Sequence, residues 1–313
     1  MPYIHIPVML SEVVHYLNCT PGKTYIDCTL GGSGHSMAIL EKIMPTGMLI
    51  GIDQDTDAIR NANTVLRPYR QNIHLIHDNF INLPEILSNL KITAVDGILL
   101  DLGVSLHQIE SSGRGFSFKR DEPLDMRMNT ESRTTAENLI NTLEEKKLSK
   151  LFKDYGEEPR ARQIARKIVR ERQRKAIKSS KQLAQMVTEA LPKRPSAGKR
   201  IHPATRVFMA LRIAVNRELE CLESFMENAV SFLKTGGRLC VLSFHSLEDR
   251  IVKRRIKVLE KACTCPPDFP KCVCNKIRVA RSLTKKVVRP TAAEIAINPM
   301  ARSTKLRAAE KIA

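Results

Sequence analysis

The segment Asp27–His35 (DCTLGGSGH) places Gly31, Gly32 and Gly34 between an apolar run and a stretch of helical character. Glycines let the chain turn tightly and bring its backbone against a ligand. The helix start that follows presents N–H groups with no intrahelical partner. Such a loop is either a plain turn or a nucleotide-binding turn, and the residues beyond it bear on the choice. The next apolar run ends Gly51-Ile52-Asp53, about twenty residues further on. A carboxylate there accepts hydrogen bonds from both hydroxyls of an adenosine ribose. The other role open to Asp53 is to cap the following helix, for which Asp55 and Asp57 are also placed.

Two cofactor classes use this arrangement. A dinucleotide loop needs Gly-x-Gly-x-x-Gly, and counting from Gly32 the third glycine position holds Met37, so the fingerprint fails. A nucleoside cofactor without a pyrophosphate needs only a looser turn with an acid at its start, here Asp27. S-adenosyl-L-methionine therefore fits better than a nicotinamide dinucleotide. A third apolar run is followed by His77-Asp78-Asn79-Phe80. Asp78 or Asn79 is suited to an adenine amino group, and Phe80 either covers the ring or belongs to the core. The fourth run ends at Asp101, where doubly wound enzymes place groups that meet both cofactor and substrate.

The elements that must position these residues are legible from period. Strand-like runs at Thr24–Thr29, Met48–Asp53, Ile73–His77 and Val95–Asp101 alternate with helical segments at Met37–Met44, Thr56–Leu66 and Leu83–Leu90. That alternation predicts right-handed crossovers and a parallel sheet. The strand pattern then stops and resumes at Arg238–Phe244, after Leu233–Gly237, whose paired glycines read as a helix stop and turn. Between lie helical patterns at Thr135–Leu143, Lys147–Asp154, Glu158–Lys175, Ser180–Ala190 and Pro203–Phe232. The expected architecture is α/β: a Rossmann-like S-adenosylmethionine methyltransferase sheet with a large inserted α-helical domain. The sheet domain is expected over 1–105 and 213–313, and a helical RNA-recognition domain over 106–212.

Charge points to a polyanionic partner. The 313 residues include 51 Lys+Arg against 33 Asp+Glu, a formal net charge of +18. From Arg160 to Arg212 there are sixteen basic residues and two acids, Glu171 and Glu189, with Arg162, Arg166 and Arg170 recurring every four residues along one helical face. Phosphate contact suits that density better than a merely solvated face. Aromatic residues make up only 4% of the chain and Trp is absent, which favours one flipped base in a pocket over extended stacking. No run has the roughly 20 apolar residues of a membrane span, and Met1–Leu10 lacks the pattern of a signal peptide. Cys19, Cys28, Cys221 and Cys240 sit in apolar surroundings and read as buried thiols. Localisation is expected to be cytoplasmic.

The chain resembles the small-subunit ribosomal RNA methyltransferase H family, also called MraW, over almost its whole length. The resemblance rests on His5–Leu10 (HIPVML), Gly31–Ser36, Asp101–Ser105 (DLGVS), Arg114–Phe118 (RGFSF), Leu124–Arg127 (LDMR) and Gly198–Arg206 (GKRIHPATR). It continues in Ala210–Asn216, Ser243–Arg250 (SFHSLEDR) and Asn298–Arg307. It implies methyl transfer to the N4 amino group of a cytidine in the decoding region of 16S ribosomal RNA, as naked RNA or within the small ribosomal subunit. No obligate protein partner is evident in the sequence. The resemblance also implies cofactor contacts from Ser33, Gly34, His35, Asp53, Phe80, Asp101 and Gln108. Ser33 stands where many members have glycine; serine is small and a backbone contact would survive it.

An exocyclic cytosine amine is a poor nucleophile because its lone pair is delocalised into the ring. A carboxylate accepting one N–H localises that pair. Asp101 is the nearest candidate for this catalytic role, its other role being to hold the cofactor alone. His245 is the second, and a structural histidine is its alternative. The Asp/Asn-Pro-Pro-aromatic tetrad common among amino methyltransferases is replaced here by Asp101-Leu-Gly-Val104. No cysteine follows the fourth or fifth strand, which favours exocyclic nitrogen over ring carbon. Cys263, Cys265, Cys272 and Cys274 either bind zinc or form a loop of thiols, reduced or able to pair; their C-x-C spacing is tighter than usual, and no metal is assigned. A catalytically silent RNA-binding factor and a nicotinamide-linked oxidoreductase are the alternatives. The intact set of Asp27, Gly31–Gly34, Asp53 and Asp101 disfavours the first, and Met37 and the basic insertion disfavour the second.

Overall fold

The computed structural model describes residues 7–191, 202–263, 265, 274 and 277–313. His5, Gly198–Ile201 and Cys272 lie outside the described residues. The chain forms two compact units, Met1–Val104 with Leu219–Ala313, and Ser105–Glu218.

The first unit is built on strands β1 (Thr24–Asp27), β2 (Met48–Asp53), β3 (Ile73–His77), β4 (Val95–Asp101), β5 (Leu233–Ser243), β6 (Ala280–Ser282) and β7 (Lys305–Lys311). Their order in the sheet is β3-β2-β1-β4-β5-β7-β6. The first five are parallel, and β7 runs antiparallel to both β5 and β6. Helices α1 (Leu10–Leu17), α2 (Gly34–Ile43), α3 (Thr56–Val65) and α4 (Leu83–Asn89) belong to the first half.

Both sheet faces are buried, so the strands read as continuous apolar runs. Side chains alternate between two cores, as a period of two requires. Ile26, Ile50, Ile98, Leu100, Leu239 and Val241 enter one, while Tyr25, Leu49, Leu99, Cys240 and Leu242 enter the other. Each fully buried Ile, Leu or Val among them contributes about 1.5–3 kcal/mol. From β1 the chain proceeds to β2 on one side, whereas β4 lies on the other. This reversal opens a crevice at the carboxyl ends of β1 and β4, the place where open α/β sheets hold ligands.

Two sequence expectations are corrected here. Leu233–Gly237 is not a turn ahead of the strand but part of β5. Val95 pairs with Leu233 and Gly97 with Arg238, so the glycines lie in a bulge that Gly236 enters at φ 81°. Pro203–Phe232 is not one helix. It divides into α10 (Ala204–Asn216) and α11 (Glu218–Asn228), with Arg217 left-handed at φ 51° between them, and Ala229–Phe232 turns as a 3₁₀ helix.

The second unit contains α5 (Leu106–Glu110), α6 (Ala136–Thr142), α7 (Glu145–Asp154), α8 (Ala161–Arg172) and α9 (Ser180–Ala190), together with α10. Ile140, Leu148, Phe152, Ile164, Leu183 and Leu211 form its own core. The expected boundary at 212/213 falls inside α10. Arg212 forms a two-pronged ion pair with Glu218, both N–O distances 2.8 Å, and keeps the helix end in this unit. Residues singled out by the family resemblance serve as internal braces. Arg114 donates from Nη1 to the carbonyls of Arg127 and Met128, and Asn216 accepts the Met128 N–H while donating to Met126. Arg127 grips Asp125 at 2.7 Å through Nε and Nη2.

After α11 the first unit is completed by α12 (Ser246–Glu260) and α13 (Ala292–Ile297).

Candidate functional site

The carboxyl ends of β1, β2 and β4 each deliver an aspartate. Asp27, at the end of β1, is fully buried; its Oδ2 accepts the Ser36 hydroxyl at 2.6 Å and its Oδ1 the Thr29 N–H at 3.1 Å. Burial raises its pKa to about 6, against the hydrogen bond from Ser36.

The loop beyond β1 leads into α2. Ser33 occupies its N-cap position at φ 65°, a left-handed conformation that a side chain strains. Its hydroxyl is buried and has no hydrogen-bond partner among the described residues. Gly34 follows because a Cβ there would sit 2.9 Å from the Pro7 ring. The free N–H groups of the first α2 turn lie at this loop.

Asp53 is half-buried at the end of β2. Its Oδ2 accepts the Gly31 N–H at 2.9 Å and its Oδ1 the Asp55 N–H at 2.9 Å, so it ties the glycine loop to its strand. The cap of α3 is Asp55, which accepts the Asp57 N–H; the alternative role for Asp53 is taken. A carboxylate offers about four lone-pair sites, so two remain on Asp53 for hydroxyl donors. Desolvation, with Asp55 and Asp27 nearby, raises its pKa to about 7.

Asp101 ends β4. Its backbone N–H donates to Thr29 Oγ1 at 2.7 Å, and its Oδ2 lies 3.4 Å from His35 Nδ1. His35 is buried on α2, and its Nε2 is bonded to the Val8 carbonyl at 2.9 Å. A carbonyl only accepts, so Nε2 carries a proton, and Nδ1 donates to Asp101 in the ring protonated on both nitrogens. Burial acts to lower the His35 pKa, but Asp101, Asp27 and the Val8 carbonyl offset it and the net shift is upward. The second oxygen of Asp101, Oδ1, is buried with no hydrogen-bond partner among the described residues. An acceptor left in that state costs about 1–3 kcal/mol, so its exposure to a ligand donor would be favourable.

Other candidates are placed differently. Phe80 is only 8% exposed and packs edge-to-face on Phe225, with centroids 5.3 Å apart, as a core side chain does. Asp78 accepts from Asn79 N–H and Asn82 Nδ2, and Asn79 donates to Gln54, so both hold the turn after β3. Gln108 lies in the second unit, where its side chain accepts the Ser105 N–H in the capping box of α5. His245 is the N-cap of α12, with Nε2 2.9 Å from Glu248 Oε1, while Glu248 Oε2 accepts the Phe244 and His245 N–H groups. Cys28 and Cys240 are buried and their thiols are pushed well above the ordinary range by desolvation, which leaves them inert. Cys19 and Cys221 are half-buried rather than buried.

The residues that sequence reasoning missed are the supports. Thr29 and Val8 hold Asp101 and His35 through a hydroxyl and a backbone carbonyl. Thr29 and Asp101 are 72 residues apart and Val8 contributes only its carbonyl to the His35 ring, so neither contact leaves a local pattern.

In the second unit, Arg162, Arg166 and Arg170 are all exposed on α8. Arg162 makes no ion pair among the described residues. Part of the basic segment is committed internally: Lys167 lies 3.2 Å from both Glu171 and Glu189, and Arg172 donates to the Ile140 carbonyl.

A sheet of this order, with acids at three adjacent strand ends and a helix N-terminus at the loop, defines an S-adenosylmethionine-dependent methyltransferase. Residues 2–312 match the MraW methylase family, and the chain belongs to that family. The ribosomal RNA small subunit methyltransferases H of Desulforapulum autotrophicum and Desulfosudis oleivorans are 55% and 53% identical to it over 312 residues, covering 100% of each chain. That of Clostridium botulinum strain Loch Maree is 47% identical over 312 residues, again covering 100% of both.

Proposed function

We infer that this chain transfers a methyl group to the N4 amino group of a cytidine in the decoding region of 16S ribosomal RNA. The observation that carries the chemistry is the Asp101 carboxylate: one oxygen is held against His35 and the other, Oδ1, is buried without a protein donor among the described residues. Membership of the methylase family and the names of its relatives supply the substrate class.

S-adenosylmethionine supplies an electrophilic methyl on a sulfonium. Asp53 suits the two ribose hydroxyls through its remaining lone pairs, and the N–H groups of Gly34 and His35 suit the amino-acid carboxylate. Ser33 contributes backbone at the same turn. Phe80 bounds the adenine side from the core, and Gln108 is assigned to the cofactor by resemblance. Asp101 Oδ1 accepts one N–H of the cytosine amine, which localises the nitrogen lone pair. The amine nitrogen bonds the methyl carbon as that carbon's bond to sulfur breaks, the electron pair staying on the neutral thioether, and the surplus nitrogen proton passes to Oδ1. His35 faces the other carboxylate oxygen and Thr29 holds the Asp101 backbone N–H, which limits the reorganisation this acceptor needs. Exposed arginines of α8 bind RNA phosphates. The substrate is the small subunit or its RNA in the cytoplasm.

The test is transfer of labelled methyl from S-adenosylmethionine to small-subunit particles, naked ribosomal RNA and DNA, followed by nucleoside analysis. Labelled N4-methylcytidine in a ribosomal RNA sample is the expected product. Its absence from every RNA sample defeats the reading.

A further inference from the structure

The segment from α12 to β6 is not used by any step above. Its ends are clasped: the Val279 N–H donates to the Leu259 carbonyl at 3.0 Å, and Glu260 Oε1 accepts from Arg278 at 3.3 Å and from the Ser282 N–H at 3.0 Å. Between those ends, none of the described residues from Lys261 to Val279 is fully buried, and Ile277 is 67% exposed. The loop therefore has no apolar core of its own among its described residues.

What it has instead is sulfur. The Sγ atoms of Cys263, Cys265 and Cys274 all lie within 4.8 Å of one another. Cys263 and Cys274 are separated by 3.8 Å. A disulfide needs about 2.05 Å, whereas a tetrahedron with Zn–S bonds of about 2.3 Å has edges of about 3.8 Å. The backbone N–H of Cys265 donates to Cys263 Sγ at 3.3 Å, the kind of outer contact that steadies a thiolate ligand.

We propose that Cys263, Cys265 and Cys274 bind a zinc(II) ion that ties together the described parts of this loop. Soft thiolates select zinc over the hard cations magnesium and calcium. The three sulfurs occupy three corners and leave the fourth for a further donor. Binding releases the thiol protons, so the free energy of coordination becomes free energy of loop folding. The role is structural, and Cys272 lies outside the described residues.

The experiment uses the full-length protein, without a histidine tag, purified under reducing conditions with no chelator. Elemental analysis should find about one zinc per chain, and titrating the thiols of the wild-type protein with a mercurial should release it. Cobalt(II) in its place should show thiolate charge transfer and the visible bands of tetrahedral coordination. The double variant Cys263→Ser/Cys274→Ser should lose the ion while still binding S-adenosylmethionine. Iron in place of zinc, an octahedral cobalt spectrum, zinc far below one equivalent, or zinc retained by the double variant overturns the proposal. The mercurial arm needs no variant, so a misfolded double mutant does not decide the matter.

Discussion

His35 Nδ1 and Asp101 Oδ2 stand 3.4 Å apart across the end of the sheet, one from α2 and the other from β4. The pair leaves Asp101 Oδ1 as the buried acceptor of the site. If that oxygen localises the amine lone pair, Asp101→Asn should lower the single-turnover methylation rate by about 10²–10⁴, with cofactor affinity changed less than about tenfold. A rate left intact while affinity collapses would restrict Asp101 to holding the cofactor.

The glycine loop stores strain at Ser33. A left-handed non-glycine residue costs about 1–2 kcal/mol, partly offset because glycine gains about 0.4–1 kcal/mol of unfolded-state freedom. Ser33→Gly should therefore stabilise the protein by up to about 1.6 kcal/mol, read as a higher urea midpoint. Cofactor affinity should hold, since the assigned contact is backbone. A tenfold loss of affinity would move the contact to the hydroxyl.

Asp27 gives a pH dependence with a definite sign. Its carboxyl rises from 3.8 to about 6 on folding, so the folded state binds its proton more tightly than the unfolded chain does. The resulting stabilisation is complete below the unfolded value and is lost as pH rises through about 6. Asp125 and Asp249 are shifted downward, opposed by burial but driven by Arg127 and Arg307, and act in the opposite sense. The difference between wild type and Asp27→Asn isolates the effect. From pH 4 to 7 in the absence of cofactor, denaturant titrations should show the variant gaining relative to wild type; a constant difference would contradict the raised pKa.

On α8, replacing Arg162, Arg166 and Arg170 together by Ala should weaken RNA binding without changing cofactor affinity. Each phosphate that an arginine no longer neutralises should reduce the slope of log K against log salt by about 0.7–0.9. An unaltered slope would leave that face merely solvated.

The four parallel strands before the insertion were legible because both faces are buried and their apolar runs are bounded by turn residues; β2, β3 and β4 match their expected limits. β6 and β7 were not, since β6 has only three residues and the run Lys305–Lys311 carries charge among alanines. The break between α10 and α11 was hidden because Arg217 takes a left-handed conformation with no glycine to announce it.

The sequence by itself determined the glycine loop, the acids at strand ends, the basic insertion and the family, because these depend on residue type at short spacing. Tertiary structure decided which oxygen of Asp101 is held and which remains an acceptor. It also decided that Asp55 caps α3 while Asp53 ties the loop, that Phe80 belongs to the core, and that His245 caps a helix. Those outcomes depend on burial and hydrogen-bond partners brought from distant strands, and chain spacing carries no record of either.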